Sequence, residues 1–107
     1  MNRLHLRLYL YESHLINDIP LYEWILHKAQ EIGIEGGTVF RSIASFGKHQ
    51  EIHEEHFFEM WAALAVEVSL VITPDQKERL FQLLESNDIR AFYLLSEVEC
   101  GYTMENR

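Results

Sequence analysis

Leu4, Leu6, Leu8 and Leu10 alternate with His5, Arg7, Tyr9 and Tyr11. A period of two predicts a strand with one buried face, because successive side chains of a strand point to opposite sides. Residues 12–19 read as a polar connection. Pro20 stands where the first turn of a helix tolerates a missing N–H. Leu21, Ile25, Lys28 or Ala29, and Ile32 follow at helical spacing, with Glu23, His27, Gln30 and Glu31 elsewhere on the wheel. Gly33 is a C-terminal stop, and Gly36-Gly37 predicts the next turn.

Residues 38–46 are rich in β-branched and aromatic types and predict a second strand, ended by Gly47. Residues 64–72 predict a third, with Val66, Val68, Leu70 and Ile72 on one face and Ala65, Glu67 and Ser69 on the other. Thr73-Pro74-Asp75-Gln76 opens a second helix, with Thr73 as cap and Gln76 completing a capping box. Leu80, Phe81, Leu83 and Leu84 form its apolar stripe, and Asn87-Asp88 ends it. A fourth strand is expected within residues 91–102, kinked near Ser96-Glu97. Residues 1–103 are expected to form one domain and residues 104–107 a frayed tail. The order β-α-β-β-α-β predicts an α+β fold, with both helices on one face of a four-stranded antiparallel sheet.

At 107 residues, the chain has room for one core, and a core of that size gains from oligomerisation. The net charge of −8, from 17 acidic and 9 basic residues, disfavours nucleic acid and anionic membrane surfaces as partners. A local basic pocket can still hold a small anion. Cys100 is the one cysteine, so no intrachain disulfide is possible, and a reduced thiol is expected. The first residues show no apolar leader, and no run approaches the roughly 20 apolar residues of a membrane span. A soluble, cytoplasmic protein without membrane insertion is expected.

Residues 47–62 join the two central strands and far exceed a hairpin loop. Phe57, Phe58, Met60 and Trp61 point to packing, including packing against another subunit. His49, His53 and His56, at spacings of four and three, would share one side of a helix and could converge on a divalent metal. Glu51, Glu54 and Glu55 could add oxygen ligands. The plainer reading is a solvated acidic loop whose histidines titrate near neutrality. Arg41, Lys48 and the Gly47 turn form a compact basic site able to meet a phosphate. The plainer alternative is an ordinary strand end. Cys100, Ser42 and Ser45 lack the context of a nucleophile, so a binding protein is expected rather than an enzyme.

Leu6-Arg7-Leu8-Tyr9-Leu10-Tyr11-Glu12, Pro20-Leu21-Tyr22-Glu23, and the stretch from Gly33 through Gly36-Gly37-Thr38-Val39-Phe40-Arg41 to Phe46-Gly47 resemble the PII-like proteins of domain-of-unknown-function family 190. The resemblance runs over about residues 4–102. It implies a ferredoxin-like fold assembled as a homotrimer, with an adenine nucleotide bound between subunits. It also implies a mobile loop contacting a regulated partner such as a membrane transporter or an enzyme. Carried onto this chain, the nucleotide site comprises Arg41, Ser42, Ala44, Ser45, Phe46, Gly47 and Lys48. The partner loop is 47–62, with Glu51, Phe57, Phe58 and Trp61 as contacts.

Two departures shape the expectation. Ser42 and Ser45 stand where the family pattern has glycines, and Ser86-Asn87-Asp88-Ile89-Arg90 lacks the second glycine-rich clamp of the PII regulators. A short phosphate chain, that of AMP or ADP, is therefore expected. The alternative is a trimeric divalent-metal protein similar in fold to CutA, using His49, His53 and His56.

Overall fold

The structure, a computed structural model, describes residues 2–46, 53–54 and 64–105. The alternating leucines form β1 (Asn2–Tyr11), with Leu6, Leu8 and Leu10 buried. The connection expected after it contains a miniature hairpin, β2 (Leu15–Ile16) and β3 (Ile19–Pro20). Asn17 and Asp18 turn it with φ of 50° and 68°. Two successive positive φ values suit the twist of a two-residue hairpin, and Asn and Asp tolerate them better than most residues.

Helix α1 (Leu21–Ile32) starts from Pro20 and buries Leu21, Trp24, Ile25 and Ala29. Of the pair Lys28 and Ala29 it is Ala29 that is buried, and Trp24 joins the stripe. Lys28 stays outside, its Nζ 5.6 Å from the Trp24 ring centroid. Gly33, at φ 100°, ends the helix. Its N–H bonds to Gln30 O at 3.0 Å, and that of Ile34 to Ala29 O at 3.0 Å. Those two bonds satisfy carbonyls that the last helical turn leaves open.

The second strand is shorter than residues 38–46. β4 (Gly37–Arg41) stops at Arg41, and Ala44–Ser45 forms a separate ladder, β5, with β6 (His53–Glu54). The reason lies in its partner. β7 (Ala65–Ile72) pairs with β4 up to Arg41↔Val66, one residue short of its own N-terminal end. The Ser42 N–H takes the Ala65 carbonyl at 3.0 Å, and β4 has no further ladder to follow. Helix α2 (Pro74–Ser86) opens with the expected capping box. Gln76 N donates to Thr73 Oγ1 at 3.1 Å, and Thr73 N to Gln76 Oε1 at 2.9 Å. β8 (Phe92–Glu99) pairs with β1 residue for residue, including Ser96↔His5 and Glu97↔Leu4. The expected kink there is absent, because a kink of that kind needs an extra residue opposite one partner.

The sheet order is β4-β7-β1-β8, all pairs antiparallel. Leu6, Leu8 and Leu10 meet Val66, Val68, Leu70 and Ile72 on one face, where both helices pack over them. Registered neighbours share a face. The other face therefore carries Arg3, His5, Arg7, Tyr9 and Tyr11 of β1, Glu67, Ser69 and Val71 of β7, Phe40 of β4, and Phe92 and Leu94 of β8. Among the described residues no helix lies on it, and Phe40, Tyr11, Val71, Phe92 and Leu94 are exposed there. Among the described residues no helix is long and apolar enough to cross a membrane. Residues 101–105 follow β8 with Met104 fully exposed.

Candidate functional site

Three strand ends meet where β4 leaves the sheet. Arg41 closes β4 opposite Val66, and Glu12 follows β1 directly. The Glu12 N–H donates to Leu64 O at 2.8 Å, while the Ser42 N–H donates to Ala65 O at 3.0 Å. Consecutive carbonyls at the start of β7 thus anchor the two flanking chains. Arg41 lies on the helix-side face with Val66, and Glu12 continues the even-numbered face of β1. Arg41 Nε donates to both carboxylate oxygens of Glu12, at 3.1 and 3.0 Å. This ion pair spans β7 from one neighbouring strand to the other. The Arg41 side chain is 44% exposed and that of Glu12 17%.

Of the predicted nucleotide contacts, the structure places Arg41 and Ser42 together at this corner. The Ser42 hydroxyl is enclosed and has no hydrogen-bond partner among the described residues. Ala44 and Ser45 lie in β5, paired with Glu54 and His53, and Phe46 follows with its ring exposed. Gly47 and Lys48 lie outside the described residues. So do His49 and His56 of the metal alternative and Glu51, Phe57, Phe58 and Trp61 of the partner loop. His53 is placed only as a backbone in β6. Among the described residues no group of three or more His, Cys, Asp and Glu is arranged to hold a metal. Cys100 follows β8 without a disulfide. A cleft of about 470 Å³ lies between α1 and Gly36-Gly37, lined in part by Glu23, Leu26, His27 and Leu70. Of the described residues among the predicted nucleotide contacts, Arg41, Ser42, Ala44, Ser45 and Phe46, none lines it.

A second polar group crosses the uncovered face of the sheet. Tyr9 OH donates to Glu67 Oε1 at 2.9 Å, and His5 Nε2 shares a hydrogen bond with Ser69 Oγ at 2.7 Å. Between them, Arg7 Nε is enclosed without a hydrogen-bond partner among the described residues. The bond to Glu67 raises the Tyr9 pKa above 10.0, helped by burial and by the Glu67 charge and opposed by Arg7. Composition alone does not reveal these pairs. The alternating pattern of β1 carries the signal for Glu12, because its even positions continue past Leu10 to Glu12, on the face Arg41 shares.

The model of the family described as DUF190, Uncharacterized ACR, matches residues 3–100. The chain belongs to the DUF190 family. A UPF0166 protein of Aquifex aeolicus (strain VF5) is 36% identical to this DUF190 chain over 80 residues, 75% of the chain and 73% of the relative. Among solved structures it is similar to CPII, a nitrogen regulatory PII-like protein from Thiomonas intermedia K12, bound to ADP, AMP and bicarbonate. That likeness has a TM-score of 0.69 at 15% identity and covers 95% of this chain and 91% of CPII. A candidate PII-like signaling protein from Thermus thermophilus matches with a TM-score of 0.64 at 10% identity, covering 92% of this chain and 88% of the other. At such identities the shared property is the fold, and this DUF190 chain has the PII-like, ferredoxin-like fold.

Proposed function

We propose that this protein is a non-enzymatic PII-like regulator, a homotrimer that binds AMP or ADP between subunits and contacts a partner through residues 47–62. The observation that carries the reading is the likeness of nearly the whole chain to CPII, whose structure holds ADP and AMP. Local chemistry supports it. β4 ends so that Arg41 and the enclosed Ser42 hydroxyl stand together at the corner where the chain leaves the sheet. The Arg41 cation there suits a phosphate, and charge-assisted hydrogen bonds are among the stronger ones. Gly47 and Lys48 follow in sequence and complete the proposed site. The uncovered apolar side chains of the sheet support self-association, because an exposed patch rimmed by polar residues marks an interaction surface.

Isothermal titration with AMP, ADP and ATP tests the site. The expected result is micromolar binding of AMP and ADP, with ATP no tighter, and binding weakened at least tenfold by Arg41→Ala and by Lys48→Ala. Equal affinities in wild type and both variants would move the nucleotide away from this turn. No heat with any of the three would remove adenine nucleotides as the effector.

A further inference from the structure

We propose that Glu12 is a specificity-determining residue of the phosphate site, a resident anion that a bound phosphate must displace or share. The inference rests on the nucleotide reading of Arg41 and adds a residue outside the predicted contact set. Arg41 is the cation on which that reading depends, and its Nε is held by both oxygens of Glu12 at 3.0 and 3.1 Å. Glu12 is no floating surface acid. Its backbone N–H is fixed to Leu64 O at 2.8 Å, and its side chain is only 17% exposed. The carboxylate is therefore positioned before any ligand arrives.

A pre-positioned carboxylate has two effects on an incoming phosphate. It orients the guanidinium, which lowers the ordering cost of binding. It also cancels the charge that attracts the anion and repels each phosphate oxygen brought near. The second effect grows with the number of phosphate charges. Glu12 thus biases the site toward the shorter chain, independently of the absent glycine-rich clamp at residues 86–90. An anion that displaces Glu12 also breaks a bridge between β1 and β4 over β7. Occupancy is thereby coupled to the strand end from which residues 42–46 depart.

The test is a titration series with AMP and ATP on wild type, Glu12→Gln, Arg41→Ala and the double variant. Gln keeps the size of the side chain and an acceptor for Arg41 while removing the charge. Thermal melts of all four proteins verify folding. Glu12→Gln is expected to bind AMP about fivefold tighter than wild type and ATP tighter by a larger factor, on the order of tenfold or more. Arg41→Ala should weaken both, and the double variant should match Arg41→Ala, because Glu12 acts through that guanidinium. A merely structural role for Glu12 predicts the opposite sign, since damage to the corner weakens binding. Glu12→Gln binding no tighter than wild type, with Arg41→Ala still weakened, would overturn this proposal and leave the nucleotide site standing. An absence of binding in all four proteins would overturn both. Wild-type binding untouched by every substitution would place the nucleotide elsewhere and also end the role of Glu12.

Discussion

Tyr9 and Glu67 face each other across the β1–β7 pair, joined by a 2.9 Å hydrogen bond on the side of the sheet that neither helix covers. The phenol donates to a carboxylate, so the bond is charge-assisted and favours the neutral phenol. The tilted Phe92 ring, its centroid 6.0 Å from that of Tyr9, shields one side of the pair. Together with the His5–Ser69 bond on the same face, this polar contact fixes the register of the two central strands as well as stabilising them.

Tyr9→Phe should lower stability by about 1 kcal/mol, the net value of one such bond where solvent still reaches it. Its pH signature separates it from a packing defect. Folding raises the Tyr9 pKa above 10.0, so the contribution is complete below about pH 10 and is lost as pH rises through the folded value. Urea melts at pH 7 and pH 10.5 read the difference. The gap between wild type and Tyr9→Phe should shrink at the higher pH, and a gap independent of pH would exclude the Glu67 bond as its source.

Adjacent glycines at the start of β4 should behave differently. A Cβ on Gly37 would come within 2.6 Å of Leu70 Cδ2 and 3.0 Å of Leu26 Cδ2, whereas one on Gly36 would meet nothing within 4 Å. Gly37→Ala is expected to cost about 1 kcal/mol, because the contacts are flexible leucine ends that can shift at some strain. Gly36→Ala should stay within about 0.5 kcal/mol of wild type. Paired thermal melts decide it, and equal melting temperatures would show that Leu26 and Leu70 repack freely.

Light scattering should return a trimer of about 38 kDa, three times the chain mass of 12.7 kDa. Phe92→Glu places a charge on the uncovered face at a position already 68% exposed in the single chain. It should leave the circular dichroism spectrum of the protomer intact and shift the mass toward that of one chain at micromolar concentration. A trimer that survives this change would mean that the open face is not the surface through which the copies meet.

The long elements are legible in the sequence for identifiable reasons. β1 and most of β7 alternate because one face of each is buried, and α2 announces itself through Thr73 and Gln76, whose reciprocal bonds are both present. The end of the second strand is not legible from its own residues. Ile43 and Ala44 have the composition of a strand, but the ladder stops because β7 begins at Ala65 and offers no further partner. Trp24 stands three positions after Leu21 and so shares its helix face. Its burial is still not fixed by that spacing, because a large ring with a polar N–H suits a surface as well as a core. The site is legible in part. Arg41 stands out as a cation beside a turn, while its pairing with Glu12 depends on two strands meeting across a third, far apart in sequence.

β8 lies at the edge of the sheet and is exposed along most of its length. Residues 92–95, Phe-Tyr-Leu-Leu, have high strand propensity and carry neither charge nor proline, whereas Glu97 and Glu99 guard only the far half. An apolar edge of this kind templates strand addition from any chain that reaches it. If the copies assemble as proposed, a freshly synthesised protomer faces a kinetic competition between orderly assembly and irregular β-aggregation. In the proposed trimer, rapid docking of like subunits would act as quality control, and conditions that slow it, such as mild denaturant, should favour precipitation over a lasting monomer.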